Sequence, residues 1–429
     1  MAASPPFDPA FAREMTSLAE SFIVAVAAFD EEERQMVEGT GSADGSGKAE
    51  RIRLGMVGGG RDAFIGGVHR IASRIDDHYT LVAGAFSSTA EKSRASAREL
   101  GIDDERAYDD FAAMARAEAA RDDGIEAVSI VTPNHLHWSV AREFLARGIH
   151  VVCDKPLTAT LDEAREFAAG VPDSGALMVL THNYTGYPMV RQARAMVAAG
   201  DLGGIRVVQV EYAQDWLAED LESTGQKQAG WRTDPGRSGV GGSIGDIGTH
   251  AFNLASFVTG LELDALCADI DAFVPGRQLD DNAHVLLRFT GGAKGMLWSS
   301  QVAPGNENGL RLRVYGSRGG LEWSQEEPNR LWHTPLGEPT RLLTRGGAGA
   351  NEAANAVTRI PAGHPEGYLE GFANLYTEAA HAILARRDGE EAPADSLLPT
   401  VRDGLQGVAF VDAVVRSSRA DGAWTALAP

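Results

Sequence analysis

The chain has 429 residues, of which 44% are hydrophobic and 23% are charged, as is typical of a globular protein with two or three domains. Its 39 basic and 60 acidic residues give a net charge of −21. That acidity argues against nucleic acid or an anionic membrane surface as a partner.

The cysteine content and the hydropathy exclude further classes of protein. The two cysteines, Cys153 and Cys267, are too few for a disulfide framework or a cysteine metal site, and they indicate a reducing compartment. No apolar run approaches the roughly 18 residues of a membrane span, and residues 1–10 lack the basic start of a signal peptide. We therefore expect a cytoplasmic protein without a metal site.

Residues 1–50 have the composition of an appended arm. Apolar residues recur at helical spacing over residues 9–37, and residues 39–47 are rich in glycine and serine, as flexible linkers are. The arm either packs on a neighbouring subunit or is the surplus of an upstream start codon.

A glycine-rich turn opens the folded body. An apolar strand over residues 52–57 runs into Gly58-Gly59-Gly60, and a helix is predicted over residues 68–75. This order favours a dinucleotide site, because glycines let the backbone approach a pyrophosphate at a helix N-terminus. Ala63 stands where a third glycine is usual, so residues 61–65 are expected to lengthen the loop. The alternative is a glycine-rich surface turn.

The next strand is predicted over residues 79–86, and its carboxyl end is where a dinucleotide-binding sheet contacts the adenosine ribose. An acid at its end would mark NAD, whereas hydroxyls followed by cations suit a 2′-phosphate. This strand ends in Ser87-Ser88, with Lys92 and Arg94 close behind. The pattern favours NADP over NAD, although both cations could instead lie on the exposed face of a helix over residues 90–100.

Alternating strands and helices continue to residue 182. Strands are predicted over residues 127–131, 150–153 and 177–180, with helices over residues 138–147 and 161–170. This alternation predicts a parallel, doubly wound sheet, a Rossmann domain over residues 51–182. In the turn after residue 131, His135 and His137 are two apart and cannot share a helical face, so they indicate a cofactor-contacting turn rather than a metal site.

The chain is organised around the strand that ends in Asp154-Lys155-Pro156. Its apolar run, residues 151–153, predicts a buried parallel strand that delivers two charges to the carboxyl edge of the sheet. Open α/β sheets bind ligands at that edge. Lys155 is therefore either the ion-pair partner of Asp154 or a reactive group.

Strands follow one another after residue 203. They are predicted over residues 205–212, 266–274, 284–289, 294–302, 310–315 and 321–325, with helices over residues 247–259, 366–386 and 400–417. The succession predicts an α+β domain, residues 183–429, built on a large, mostly antiparallel open sheet. Such a sheet would expose one face, which favours a homo-oligomer.

Asp246 and His250 lie four residues apart, at the start of the predicted helix over residues 247–259. On a helix they share a face and could both point into a cleft. The alternative is an aspartate that favours the helix dipole and a core histidine. Together with Lys155, they supply what oxidation of a hydroxyl requires, namely a base for the proton and a cation for the developing alkoxide.

The glycine-rich turn, Thr132-Pro133-Asn134-His135, Asp154-Lys155-Pro156 and residues 242–250 together resemble the glucose–fructose oxidoreductase / inositol dehydrogenase (Gfo/Idh/MocA) family. The resemblance covers about residues 51–420. It implies NAD(P) dependence, a Rossmann domain, and a C-terminal α/β domain whose sheet forms dimers or tetramers. Asp154 replaces the family's usual glutamate, the first glycine loop is extended, and the arm before residue 52 has no counterpart.

The resemblance also assigns residues. Lys155 matches the family's lysine, Asp246 its aspartate, and His250 its proton-transfer histidine, so these three are the predicted catalytic residues. The predicted cofactor contacts are Gly58, Gly60, Phe64, Ile65, Ser87, Ser88, Lys92, Thr132, Pro133, Asn134, His137, Asp154, Lys155, Trp231 and Arg232. The predicted substrate contacts are Lys155, Asn183, Tyr184, Asp246 and His250; weaker candidates, each equally explained as a turn or surface residue, are Gln226, Asp281, Asn282 and His364.

These observations predict an oxidoreductase that moves a hydride between NAD(P) and a secondary alcohol of a sugar, a sugar derivative or a cyclic polyol such as inositol. In this hypothesis His250 takes the hydroxyl proton, Lys155 stabilises the same oxygen, and Asp246 orients His250 or a neighbouring hydroxyl. The alternatives are a glycosidase that oxidises its substrate transiently with NAD, and a non-catalytic regulatory protein that senses the cofactor.

Overall fold

The structure is a computed structural model that describes residues 50–61, 63–171 and 174–428. The predicted helix over residues 9–37 and the linker over residues 39–47 lie outside these ranges. Within the described ranges, no helix combines the length and apolarity that crossing a membrane requires.

The first half of the described chain forms a five-stranded sheet in the order β2-β1-β3-β4-β5, and every pairing in it is parallel. The strands are β1 Ile52–Gly58, β2 Tyr79–Ala85, β3 Ala127–Val131, β4 His150–Cys153 and β5 Met178–Leu180. Every residue of β3 is buried, as expected for a strand that is covered on both faces. Because β1 pairs with β2 on one side and with β3 on the other, the strand order reverses at β1, and such a point opens a crevice at the carboxyl edge of the sheet.

Helices alternate with these strands, which confirms the predicted Rossmann architecture. They are α1 Phe64–Ile75, α2 Ala90–Glu99, α3 Phe111–Ala119, α4 His137–Leu145 and α5 Leu161–Gly170. Thr160 caps α5, because its hydroxyl oxygen accepts a hydrogen bond from the backbone N–H of Glu163 at 3.3 Å. The alanine-rich α3 had no sequence prediction.

The glycine-rich turn is shorter than predicted, because α1 begins at Phe64 rather than at residue 68. Residues 64 and 65 therefore belong to the helix, and Gly66 lies in its first turn. A Cβ atom on Gly66 would lie 2.4 Å from the Cα of Gly59. Gly66 thus allows the close approach between helix and turn that a third glycine usually allows, although Ala63 occupies the usual position of that glycine.

The second half forms a nine-stranded sheet in the order β13-β12-β11-β10-β6-β9-β8-β7-β14. Only the β6–β9 pairing is parallel among those of this sheet. The strands are β6 Ile205–Ala213, β7 Leu263–Asp271, β8 Asn282–Phe289, β9 Lys294–Ser300, β10 Gly309–Gly316, β11 Gly319–Ser324, β12 Arg330–Pro335, β13 Arg341–Thr344 and β14 Thr425–Ala426. The predicted large, mostly antiparallel sheet is confirmed. Strands β12 to β14 were missed, since they are short and largely exposed.

Helices cover one face of this sheet and leave the other open. The helices in the second half of the described chain are α6 Pro188–Ala198, α7 Lys227–Arg232, α8 Pro235–Ser238, α9 Thr249–Thr259, α10 Glu352–Asn355, α11 Tyr368–Arg387 and α12 Val401–Arg419. Residues of α6, α9 and α12 share a single buried apolar core with the sheet. Helix α11 instead packs on the parallel sheet, where Phe372 and Tyr376 join the core around β1.

Replacing Gly66 by alanine should disrupt the turn at the start of α1. The new Cβ would overlap the backbone of Gly59, so we expect the free energy of unfolding to fall by about 1–3 kcal/mol. Gly67→Ala is the matched control, because a Cβ there would have only Arg70 within 4 Å, at 3.9 Å. Alanine at a helical position should then be neutral or stabilise by about 0.5–1 kcal/mol. Denaturant unfolding of both variants tests this, and equal losses would contradict it.

Candidate active site

A large cleft lies at the carboxyl edge of the parallel sheet and has a volume of about 1400 Å³. Its walls come from the glycine-rich turn, the ends of β2 to β5, and the facing strands and helices of the second half. Sites for a single small molecule usually measure about 300–1,000 Å³. The cleft is therefore large enough for a dinucleotide and a second, smaller molecule.

Lys155, at the end of β4, reaches across this cleft. Its Nζ donates hydrogen bonds to the Oδ1 of Asp246 at 3.0 Å and to the backbone oxygen of Asp246 at 2.7 Å. The ion-pair partner of Lys155 is thus Asp246 rather than Asp154. The carboxylate of Asp154 instead accepts hydrogen bonds from the backbone N–H of Lys155 and from the hydroxyl of Thr181, both at 3.0 Å.

The other carboxylate oxygen of Asp246 is also occupied. Its Oδ2 accepts hydrogen bonds from Arg232 Nε at 3.1 Å and from Gln301 Nε2 at 3.0 Å. Burial would raise the pKa of Asp246, but the charges of Lys155 and Arg232 outweigh burial and hold that pKa well below its usual range. Asp246 is therefore a permanent carboxylate. Among the described residues, its side-chain hydrogen bonds go to Lys155, Arg232 and Gln301 and not to His250. Of the two expected roles for Asp246, orienting a neighbouring hydroxyl therefore stays a prediction.

One turn of π-helix, Ile244–Gly248, carries Asp246 and leads directly into α9. His250 lies in the first turn of α9 and is 9% exposed. Its ring contacts Tyr184 and His182, with ring centroids 4.9 and 5.9 Å apart. Burial lowers the pKa of His250 well below its ordinary value, and the neighbouring charge of Lys155 acts in the same direction. The imidazole is therefore neutral near pH 7 and able to accept a proton.

The three predicted catalytic side chains, Lys155, Asp246 and His250, all line the same cleft. Lys155 follows β4 of the parallel sheet, whereas Asp246 lies in the turn before α9 and His250 in α9 itself. Lys155 and Asp246 are separated by 91 positions. Among the described residues, no group of three or more histidine, cysteine, aspartate or glutamate side chains is arranged to hold a metal ion. Lys155 and His250 give the cleft a cation beside a group that can accept a proton.

The opposite end of the cleft fits a dinucleotide. A Cβ on Gly58, where φ is +81°, would lie 2.8 Å from the backbone oxygen of Val131. The Oγ1 of Thr132 is buried without a hydrogen-bond partner among the described residues, and Thr132 lines the cleft. Buried polar atoms are nearly always satisfied, so an unsatisfied hydroxyl facing a cleft is expected to meet a ligand.

Nearly all the predicted cofactor contacts line the cleft. They are Gly58, Gly60, Phe64, Ile65, Ser87, Ser88, Lys92, Thr132, Pro133, Asn134, Asp154, Lys155, Trp231 and Arg232. Arg232 also forms an ion pair with the carboxylate of Asp246, and its role as a cofactor contact stays a prediction.

His137 is the exception, and its prediction as a cofactor contact is wrong. Its ring is fully buried, and its Nδ1 and Nε2 lie 2.7 and 2.9 Å from the backbone oxygens of Pro156 and Thr132. Helix α4 begins at His137, which turns the ring inward between the two loops, and His135 lines the cleft instead.

The predicted substrate contacts Asn183 and Tyr184, which follow β5, also line the cleft. The Nδ2 of Asn183 is buried without a partner among the described residues. The hydroxyls of Tyr184 and Tyr212 lie 2.6 Å apart, and Tyr212 donates a hydrogen bond to the Oδ1 of Asn308 at 2.7 Å. The weaker candidates Gln226, Asp281, Asn282 and His364 are absent from the cleft lining.

Sequence reasoning missed a group of polar residues contributed by the second sheet and its loops. They are Tyr212, Gln214, Asn308 and Gln325. Tyr212 lies near the end of β6, and Gln214 directly follows that strand. Their place in the cleft depends on the pairing of β6 with β9, for which the sequence gives no local signal.

A sheet of the dinucleotide-binding type, with a lysine, a carboxylate and a neutral histidine lining the cleft at its carboxyl edge, is the arrangement of a nicotinamide-dependent oxidoreductase. Two family models match the chain. Residues 52–182 match the oxidoreductase family with an NAD-binding Rossmann fold, and residues 190–322 match the GFO/IDH/MocA C-terminal domain. The chain belongs to the Gfo/Idh/MocA family of oxidoreductases.

Solved structures agree. An oxidoreductase from Sinorhizobium meliloti is 62% identical, with a TM-score of 0.81 over 88% of this chain and 99% of that one. An inositol dehydrogenase homologue from Azotobacter vinelandii, in complex with NAD+, is 39% identical, with a TM-score of 0.85 over 90% and 100%. A structure of that homologue also contains NADH and myo-inositol. Levoglucosan dehydrogenase of Pseudarthrobacter phenanthrenivorans is 26% identical over 87% of this chain and 98% of the relative.

Proposed function

We propose that this protein oxidises or forms a secondary alcohol on a sugar, a sugar derivative or a cyclic polyol, using NAD(P). The observation that carries the proposal is the position of Lys155 and His250 in one cleft with the glycine-rich turn. Relatives solved with myo-inositol or named for levoglucosan support the substrate class. In this proposal residues 51–182 bind the nucleotide, and residues 183–429 bind the substrate and form the oligomer.

The geometry supports different roles for His250 and Lys155. Neutral His250 accepts the proton of the substrate hydroxyl, and the ammonium of Lys155 stabilises the negative charge that develops on that oxygen. When bound, the nicotinamide supplies the acceptor for the hydride that leaves the carbinol carbon. Asp246, fixed by Arg232 and Gln301, holds Lys155 in place through the 3.0 Å contact.

The substrate end of the cleft favours an uncharged, hydroxyl-rich molecule. Beside the ion pair of Lys155 and Asp246, its wall includes neutral hydroxyl and amide groups, among them those of Tyr184, Tyr212 and Asn308. Burial raises the pKa of Tyr184 and of Tyr212, so both phenols remain uncharged donors and acceptors. Such groups match the alternating donors and acceptors of a polyol, and the free amide of Asn183 adds a donor.

Lys155→Ala should lower kcat by about 10²–10³-fold, because it removes the cation that stabilises the alkoxide. Cofactor binding should change little, since the glycine-rich turn is untouched. The measurement is formation of reduced nicotinamide with a panel of sugars and inositols, with cofactor affinity measured by nicotinamide fluorescence.

Lys294→Ala is the matched control for this experiment, because Lys294 lies exposed on β9, outside the cleft lining. Near-normal turnover by Lys155→Ala would contradict the assignment. Substrate cleavage by the wild type without net reduced nicotinamide would favour the glycosidase alternative.

We further propose that the adenosine end of the cleft accepts a 2′-phosphate. Ser87, Ser88 and Lys92 line this end, and Lys92 has no ion-pair partner among the described residues. Arg94, by contrast, is paired with Asp109 at 2.9 Å and does not line the cleft. Asp109 does line it, so one acid opposes the phosphate there.

Lys92→Ala should raise KM for NADP by about tenfold, because a charge-assisted hydrogen bond to the phosphate is lost. KM for NAD should remain within about twofold. Arg94→Ala, which removes a cation already paired with Asp109, should leave both values nearly unchanged. Steady-state kinetics with NAD and with NADP measure this cofactor preference. NAD is the cofactor to compare, because relatives have been solved with NAD+ or NADH. A wild type that prefers NAD would contradict the proposal.

We also propose that the open face of the nine-stranded sheet joins subunits. Leu286 pairs in register with Met296, and Trp332 with Leu342. These four apolar side chains are 41–51% exposed and lie at the two ends of one row that crosses the sheet, with Glu322, Arg313 and Gln209 between the two pairs. Exposed apolar side chains grouped on one face and bordered by polar residues are expected to be covered by a partner.

The wild type should therefore be a dimer or tetramer, and Leu286→Asp should reduce its mass in solution because it places a charge in the row. Phe273→Asp is the control, since Phe273 is 64% exposed in a loop outside the sheet. Light scattering after size exclusion measures both. A monomeric wild type would contradict the proposal.

A further inference from the structure

Asp280 is a buried carboxylate that lies outside the cleft, two residues before β8 begins, and is 6% exposed. Its Oδ1 accepts a hydrogen bond from the backbone N–H of Gly242 at 2.6 Å, and its Oδ2 accepts one from Ile244 at 2.8 Å. Its backbone oxygen accepts a third from Ser243 at 2.8 Å. One residue thus holds three consecutive N–H groups.

These N–H groups lie at the start of the turn that carries Asp246, which we call the catalytic turn. The π-helical turn Ile244–Gly248 carries Asp246, and α9 carries His250 immediately afterwards. The first N–H groups of a helix have no partner within it, and a carboxylate there satisfies them and complements the helix dipole. Such caps usually come from the residue before the helix. Here the cap comes from 38 positions away, so it fixes the turn against the sheet.

The turn and the strand ends fit closely. A Cβ on Gly242 would lie 2.1 Å from the backbone oxygen of Asp280, and the hydroxyls of Ser243 and Ser299 lie 2.6 Å apart. Two residues after Ser299, Gln301 donates to Asp246 Oδ2. The turn is therefore held at its start by Asp280 and at Asp246 by the end of β9.

The charge on Asp280 is costly. Burial raises its pKa to about 6, against the opposing effect of the Ile244 and Gly242 hydrogen bonds. An uncompensated buried carboxylate is destabilising, so these two N–H groups are what allow the ionised form near pH 7.

We propose that Asp280 is a positioning residue for the reaction, because its carboxylate sets the register of the turn that brings Asp246 to Lys155 and His250 to the cleft. The inference rests on the proposed function of Lys155 and His250. Asp280 does not line the cleft, and it acts through the backbone of residues 242–244.

The chain contains a matched control in the next residue. Asp281 is also buried, at 1% exposure, and its carboxylate accepts hydrogen bonds from the backbone N–H groups of Phe273 and Val274 at 2.9 and 3.0 Å. It also contacts Arg277 at 3.2 Å. Asp281 therefore fixes a loop that does not carry the catalytic turn, while making the same kind of contacts as Asp280.

The test compares Asp280→Asn, Asp280→Ala and Asp281→Asn in the full chain, using myo-inositol, or the best substrate of the panel, with each cofactor. Asparagine places an NH₂ group against one of the two N–H donors, so the turn should shift. We expect kcat to fall by about 10- to 100-fold in both Asp280 variants. KM for the cofactor should stay within about twofold, and Asp281→Asn should keep kcat while losing a similar amount of thermal stability.

Crystal structures of Asp280→Asn and Asp281→Asn provide a readout that does not need activity. The 3.0 Å contact between Lys155 Nζ and Asp246 Oδ1 should be lost in the first and kept in the second. If the wild type oxidises nothing in the panel, the proposed function fails and these structures still decide the positioning role. A folded Asp280→Asn variant that keeps its kcat or this contact would overturn the inference, as would equal losses of kcat in Asp281→Asn.

Discussion

The ion pair between Lys155 and Asp246 is the contact on which the site depends. It joins the carboxyl end of β4 in the parallel sheet to the turn before α9 in the second half of the chain. Both side chains are mostly buried, at 14% and 16% exposure, so removing one partner would leave a charge that water cannot fully solvate. Arg232 and Gln301 complete the shell of Asp246, which fixes Lys155 towards the cleft.

The same arrangement sets the protonation states. Asp246 has a pKa well below its usual range because two cations face it, so it serves as a fixed charge. His250 has a depressed pKa, chiefly through burial and then through Lys155, so it is a free base near pH 7. The charge of Lys155 therefore acts on both groups, since it favours the ionised form of Asp246 and the neutral form of His250.

Much of this could be predicted from the sequence, because the signals are local. Continuous apolar strands that end in charges predicted the parallel sheet and placed Lys155 at its carboxyl edge, and the four-residue spacing of Asp246 and His250 predicted a shared face. The contacts that hold the site could not be predicted, since they join distant segments, as when Asp280 caps a turn 38 positions away. The inward turn of His137 depended on where α4 begins, and helix boundaries are the least predictable feature of a sequence.

In the proposed mechanism, Lys155 and His250 act on one substrate oxygen. A crystal structure of the protein with oxidised nicotinamide and a bound polyol measures this directly. We expect one hydroxyl to lie within hydrogen-bond distance of both the Nζ of Lys155 and a ring nitrogen of His250. A polyol whose hydroxyl contacts the lysine while the imidazole faces a different group, or none, would show that the two side chains do not share an oxygen.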